Sequence, residues 1–483
     1  MPKRNLIWII AIVATALITV RVSRPPAPAG DQTEAEFRPV AETYRLIKDT
    51  SLLPVKEEEL LHGAIGGMAG AVDEFSTYVS SGKVEAFERR MEGRERGLGL
   101  RLDLADGQAR VRRVLFGSPA YRAELRPGDV ALAVNGSPVE SLMPAQIDAM
   151  LNDGPLGQTV RLEVLGGDEG RRTVELERQE IRLESVQGLH RDASGKWVYL
   201  LDPKRRLAYF RLREFLSRTA EEFQEAFRQV DGLAGLILDL RDNPGGRLPA
   251  AIDVADLFLS HGTIVTVVGR TGAPRRYVAR PEGTYPPEIP IVVLIDGRTA
   301  SAAEIVAGAL RQAGRAVLIG TRTRGKGYVQ SMVRLPGELG QVNLTTSECL
   351  LGEDQPISRR PNGGKWGIDP HLEVAASPSR RERLALLQAK AELPSPPRAE
   401  GPARRRTPAT MPAVTMILPA EPPVAESLLE ADVQLARALD LLKSPQEMQE
   451  LLEEAGKQAR DTHAATTPGR KQAPPPGQTS KRK

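Results

Sequence analysis

Residues 291–306 run Ile-Val-Val-Leu-Ile-Asp-Gly-Arg-Thr-Ala-Ser-Ala-Ala-Glu-Ile-Val. Five consecutive apolar residues read as a strand buried on both faces. Asp296-Gly297 marks a tight turn, and a helix opens at once with Ala302. Ser301 falls at the strand-to-helix junction with alanines on either side. Small neighbours let a carbonyl approach its hydroxyl, and the first N–H groups of a helix lack internal partners and favour negative charge. That setting suits a nucleophile facing a developing oxyanion; it suits a plain helix N-cap equally well. Outward from this stretch the rhythm is strand–helix–strand. Buried runs recur at Leu207–Leu212, Leu236–Leu240, Ile264–Val268 and Ala316–Ile319. A helix opening with a Thr219-x-x-Glu222 capping box stacks Phe223, Ala226, Phe227 and Val230 on one face. Further helices at about 249–259 and 302–312 complete an α/β core.

Two other turns in this core could carry chemistry. The strand ending at Ile319 leads into Gly-Thr-Arg-Thr-Arg-Gly-Lys-Gly-Tyr-Val-Gln at 320–330, with Lys326 between two glycines. A lysine is a general base only when neutral, and bringing its pKa from about 10.4 to near 7 costs on the order of 4 kcal/mol, which burial can supply. Gln330, four residues on, is placed to fix the direction of the amine. The bland alternative is a solvated charge in a glycine loop. A rival also exists, since Gly320-x-x-x-x-Gly325-Lys326 matches the start of a phosphate-binding loop. Gly327 stands where Ser or Thr should hold magnesium, and the following residues alternate as a strand rather than opening the helix that phosphate needs. The third segment, Leu-Asp-Leu-Arg-Asp-Asn-Pro-Gly-Gly at 238–246, ends a core strand in a turn whose Gly245 and Gly246 N–H groups could serve an oxyanion or merely close a turn.

The rest of the chain is of other kinds. Its 483 residues carry 66 basic against 62 acidic side chains, a net +4 too even for a dedicated nucleic-acid binder. With 41% hydrophobic and 4% aromatic residues, the core is aliphatic. The one cysteine, Cys349, reads as a small buried hydrophobe. The five histidines are scattered without metal-ligand spacing, so no metal and no cofactor is expected. Lys3 and Arg4 precede the charge-free stretch Leu6–Val20, which as a helix rises roughly 22 Å. This is an export signal, short for a full span. The proline within Ala27-Pro28-Ala29 disfavours cleavage, which favours a signal-anchor. Apolar positions recur at helical spacing between about 37 and 90. Residues 97–180 alternate short β-branched runs with turn signals, interrupted by one helix at Pro144–Leu151. After about 376 come a Pro/Arg-rich linker, a charged helix with Leu428, Leu435, Leu439 and Leu442, and a basic tail.

Together, LDLRDNPGG at 238–246, DGRTASAAEIVAGAL at 296–310 and GTRTRGKGYVQ at 320–330 resemble the carboxyl-terminal processing proteases, the S41 family of PDZ-containing serine peptidases. NLTTSE at 343–348, GIDP at 367–370 and VDEFSTYVS at 72–80 match more loosely. The resemblance covers about residues 40–376, with the motifs in the family's order. It implies an α/β protease core, a crotonase-like β/α sandwich, with an inserted β-rich PDZ domain and an N-terminal helical segment. It also implies a Ser–Lys pair without histidine: Ser301 as nucleophile, Lys326 as general base, Gln330 orienting the lysine, and an oxyanion hole from the amides of Ala302 and of Gly245 or Gly246. Ala303 replaces a second serine frequent in the family, and His371 stands where an acidic residue is usual. Gly97-Leu98-Gly99-Leu100 would be the carboxylate-binding loop of the PDZ module, which adds an extended peptide to a sheet edge.

The expected organisation is signal or anchor and linker over 1–36, helices over 37–92, a PDZ domain over 93–182 and the peptidase core over 183–376. The Pro/Arg-rich linker then covers 377–425, a C-terminal helix 426–456 and the tail 457–483. The partners expected are proteins or peptides with exposed apolar C-termini and, through the N-terminal segment, a membrane. No nucleic acid is expected, and self-association into a homo-oligomer stays open. The location expected is extracytoplasmic, in the periplasm or cell envelope, anchored to the inner membrane. Two alternatives belong to other classes. One is a catalytically silent PDZ scaffold at the membrane surface; the other is a Ser–His–Asp hydrolase with His261 as base.

Overall fold

Alternation along five strands decides the architecture. In β1 (Leu207–Leu212), β2 (Gly235–Asp239), β3 (Ile291–Ile295) and β4 (Val317–Gly320), successive residues bury on opposite faces of one sheet; these strands run parallel, β5 (Leu372–Glu373) extends them in parallel, and Val186–Gln187 and Leu200–Asp202 pair antiparallel with β1. Ala208, Phe210, Leu236, Leu238, Ile291, Val293 and Leu318 enter one core. Leu207, Tyr209, Ile237, Val292, Leu294, Val317 and Ile319 enter the other. A sheet apolar on both faces must be covered twice. Helices α1 (Thr219–Phe227), α2 (Leu248–Asp256) and α3 (Ala302–Gln312) cover the first face. The second face is covered by residues of α4 (Pro378–Ala391), α5 (Val424–Ala431) and α6 (Val433–Leu442). The computed structural model describes residues 30–105, 108–166, 170–352, 354–360, 363–394 and 424–454. The expected export segment, most of the Pro/Arg-rich linker and the basic tail lie outside them. No helix among the described residues is long and apolar enough to cross a membrane.

Three local expectations change. Thr219 and Glu222 form no capping box: Arg218 is the N-cap residue, and the Glu222 carboxylate instead accepts from the Ser185 N–H and hydroxyl at 2.9 and 2.7 Å. The run at Ile264–Val268 belongs to a second, antiparallel sheet with Arg275–Val278 and the C-terminal half of Gln341–Leu351, not to the parallel one. Its β-branched residues permit either sheet, because period alone carries no strand direction. The charged C-terminal helix is broken at Asp432, whose side chain caps α6 through the Gln434 and Leu435 N–H groups. Its leucines are core: Leu435, Leu441 and Leu442 are buried against the sheet.

The module within 97–180 is an antiparallel sheet whose strand order begins at Leu100–Ala105 and continues through Gln108–Val114, Val130–Val134, Thr159–Gly166 and Gly170–Glu177. Leu98, Val111, Leu125, Ile147, Leu162 and Leu176 fill its own core. Arg94–Gly97 pairs with Gln179–Arg182 where the chain enters and leaves. Among the described residues, 30–80 and 334–343 form a compact unit of their own. Within it lie the helices Gly30–Thr50, which takes in positions 30–36 read as linker, and Glu57–Gly70. The strand Thr77–Val79 pairs there with Gln341–Asn343.

Candidate active site

β2, β3 and β4 are consecutive neighbours in the parallel sheet, and each of the three singled-out turns leaves the carboxyl end of one of them. Such ends are where α/β sheets collect their ligand sites, since all parallel strands deliver their loops to one edge. Gly245 and Gly246 follow β2, Ser301 follows β3 and Lys326 follows β4.

Ser301 is the N-cap residue of α3 and sits at φ 56°, ψ −119°, a backbone conformation costly for a residue with a Cβ. Two anchors hold it there. The Ala300 N–H donates to the Asn243 carbonyl at 2.9 Å, and the Ser301 N–H donates to Glu304 Oε2 at 2.8 Å. The Glu304 carboxylate does more than cap its helix. Its Oε1 accepts from Thr323 Oγ1 at 2.5 Å and from the Gly325 N–H at 2.7 Å. Its Oε2 also accepts from the Lys326 N–H at 2.8 Å. The Ser301 and Lys326 nitrogens therefore share one oxygen and lie no more than twice 2.8 Å apart. A further bond, Arg324 N–H to the Thr299 carbonyl at 3.0 Å, ties the same two loops. Burial pushes the Glu304 carboxyl up from its ordinary range, against the pull of these four donors.

Gly245 completes the cluster, and here the lack of a side chain is required. At φ 103°, a Cβ on Gly245 would lie 2.8 Å from the Ser301 Cβ and 3.0 Å from the Ala302 nitrogen. The Gly245 N–H donates to Asn243 Oδ1 at 2.8 Å. Gly246 lies against the Phe215 backbone. Lys326 and Gln330 are half-buried, and Gln330 Nε2 donates to Thr345 Oγ1 at 3.1 Å. The structure thus brings Ser301, Ala302, Gly245 and the Lys326 backbone to one place, with Gln330 in the strand that follows, Tyr328–Arg334.

Two residues that sequence reasoning passed over, Glu304 and Asn243, organise this cluster. The Ser301-x-x-Glu304 spacing could have signalled the first contact of the carboxylate; its reach to the lysine loop is tertiary. Other candidates fall away from the cluster. His261 lies on an exposed turn with its Nδ1 3.0 Å from the Ser260 hydroxyl. His371 Nδ1 accepts from the Leu318 N–H at 2.8 Å; burial, helped by the Arg311 charge, pushes it down to about 4. Cys349 is buried, which pushes its thiol up to about 12.

In the 97–180 module, Leu100–Ala105 is an edge strand, bonded on one side only. Gly97–Leu100 leads into it. Gly99, at φ 74°, has room for no Cβ, since one would lie 2.1 Å from that of Ser118.

The profile of peptidase family S41 matches residues 206–374, and a PDZ-domain profile matches 110–166. The carboxyl-terminal-processing protease of Synechocystis sp. is 35% identical over 331 residues, covering 67% of this chain and 73% of that protein. The chain belongs to the carboxyl-terminal processing proteases of family S41. It is a hydrolase. The carboxy-terminal processing protease CtpA of Bacillus subtilis is 29% identical over 376 residues, covering 76% of each chain. Among solved structures, the photosystem II D1 C-terminal processing protease aligns at a TM-score of 0.42 and 25% identity, over 73% of this chain and 98% of that one. This S41 peptidase combines a mixed helix-and-sheet core with a PDZ domain and an N-terminal helical segment.

Proposed function

We propose that this peptidase is an exported endopeptidase that holds protein C-termini on its PDZ domain and cleaves through an acyl-enzyme on Ser301. Neutral Lys326 takes the Ser301 hydroxyl proton as the oxygen attacks the scissile carbonyl. The N–H of Ala302 and that of Gly245 or Gly246 stabilise the resulting oxyanion; the Gly245 N–H would first leave Asn243. Lys326 then returns the proton to the departing amine, and water hydrolyses the ester by the same route. With its amide nitrogen held by Thr345, Gln330 has its carbonyl oxygen left to orient the lysine. The observation that carries this reading is the Glu304 carboxylate, whose single oxygen holds both the Ser301 and Lys326 backbones.

The free edge of Leu100–Ala105 supports strand addition of an extended peptide, with its terminal carboxylate at Gly97–Leu100 and an apolar last residue. The domain limits proposed are 93–182 for the PDZ domain and 183–376 for the core, with the N-terminal segment delivering both outside the cytoplasm and anchoring them to the membrane. The test uses a disordered peptide with an apolar C-terminus. Wild-type protein cleaves it and is labelled on Ser301 by a serine-reactive phosphonate; Ser301→Ala and Lys326→Ala still bind it but leave it intact. Full activity in either variant overturns the assignment. Binding by wild-type protein without cleavage or labelling would make the chain a scaffold instead.

A further inference from the structure

The sheet edge that carries the proposed site is rich in exposed arginine. Arg247 follows Gly246, Arg298 precedes Ser301 in its turn, and Arg322 and Arg324 lead into Lys326; all four are exposed. Exposed Arg359 is tied to the lysine loop, since its N–H donates to the Gly325 carbonyl at 2.9 Å. Carboxylates answer only part of this charge. Arg298 lies 3.2 Å from Asp242 and 3.7 Å from Asp296, Arg322 lies 2.5 Å from Asp369, and neighbouring Arg360 lies 2.8 Å from Glu348. The Glu304 carboxylate is buried and taken by its own donors. Arg247, Arg324 and Arg359 have no ion pair among the described residues. Positive charge stays in excess even with exposed Glu373, which lies beside Gly320 in the sheet register.

Two of these guanidiniums are held rather than loose. Those of Arg322 and Arg359 lie 5.0 Å from the centroid of one indole, Trp366. The indole packs on the lysine loop, where a Cβ added at Gly325 would lie 2.7 Å from it. A guanidinium stacked on an aromatic ring keeps its fork of donors free and has already lost part of its rotamer freedom, so pairing with a carboxylate costs it less. Arg324 is two residues from Lys326, which puts their Cα atoms at most about 7 Å apart. An extended peptide advances about 3.3 Å per residue, so side chains up to about three residues from the scissile bond come within reach of these arginines. We infer that this rim selects substrates with an aspartate or glutamate close to the scissile bond, the carboxylate pairing with Arg324 and Arg359. The inference rests on the peptidase reading above and adds a second requirement to the apolar C-terminus held on the PDZ domain.

The test uses the full chain and peptides that share one apolar C-terminus and carry Glu, Gln or Lys near the scissile bond, on each side in turn. Wild-type kcat/KM is expected to fall in the order Glu, Gln, Lys. Glu should exceed Gln by roughly 3–10-fold at low ionic strength and by less in about 0.5 M salt. The double variant Arg324→Glu, Arg359→Glu should reverse the order, an outcome that loss of packing cannot produce. Should that variant fail to fold, Arg324→Gln, at an exposed position outside the indole contact, decides: its Glu-to-Gln ratio should drop toward one, and a ratio equal to that of wild type overturns the inference. Equal wild-type rates for the Glu and Gln peptides also overturn it, while leaving the proposed function standing. Cleavage of none of the peptides overturns the proposed function and this inference with it. Arginine-dependent binding to phosphatidylglycerol vesicles without any peptide preference would make the rim a lipid-facing surface instead.

Discussion

Gly245 shows how much of the proposed site rests on a missing side chain. Its position lies over the Ser301 Cβ and the Ala302 N–H, the two groups assigned to attack and to oxyanion binding. Substitution by alanine would add an atom 2.8 Å from one and 3.0 Å from the other, in a backbone conformation already unfavourable to it. Gly245→Ala is expected to lower kcat/KM for peptide cleavage by roughly 10²–10³-fold, the scale of a lost oxyanion donor. Binding of a PDZ ligand should be unchanged. Near-wild-type cleavage by a folded Gly245→Ala protein would show that the space over Ala302 is not used. Neighbouring Ser301 obeys the same logic from the other side, since its strained backbone persists because two hydrogen bonds over-determine it.

At the scale of elements, helix α3 and the loop after β4 are joined by one carboxylate serving four donors. Replacement by glutamine keeps the size but presents an amide to N–H groups that need an acceptor, leaving buried donors unpaired at about 1–3 kcal/mol each. Glu304→Gln should therefore separate the Ser301 and Lys326 loops. The expected outcome is phosphonate labelling of Ser301 slowed by about 10–100-fold, on the principle that a small misplacement costs about two orders of magnitude. Glu304→Asp, still an acceptor but shorter, should fall between. Equal labelling rates in wild type and Glu304→Gln would reduce the residue to a helix cap. The capping-box spacing made its first contact legible, whereas the contacts with Gly325 and Lys326 join a helix to a loop 21 or more residues further along the sequence.

Across the whole molecule, charge burial sets how stability follows pH. His371, an acceptor for the backbone of β4, has a folded-state pKa near 4, below its ordinary 6.5, chiefly through burial. Protons consequently bind the unfolded chain more tightly. The contribution of this histidine is whole above pH 6.5, fades as pH falls toward 4, and totals on the order of 3 kcal/mol. Melting curves between pH 7 and 4 should show a steeper loss in wild type than in His371→Gln, which keeps an acceptor without titrating. Parallel slopes for the two proteins would remove the assignment. The Arg241 network acts on the same scale. It clamps Asp432, at the start of α6, to Asp239 at the end of β2, so residues far apart in the chain cover the second face of the sheet.

Much of this protein was legible in the order of its residues. Buried strand runs, short turns and the helix opening at Ala302 follow from apolar period and local backbone preference, which are properties of neighbours in the chain. The three motif turns carried the family as well, because their residue types are specific to it. Strand direction and sheet membership were not legible: Ile264–Val268 is as apolar as the parallel strands yet pairs antiparallel elsewhere. Nor could spacing show that Glu304 reaches the lysine loop, that a charged C-terminal helix is half core, or that Arg241 is clamped between Asp239 and Asp432. Each depends on which distant groups share the low-dielectric interior, and only the folded chain decides that.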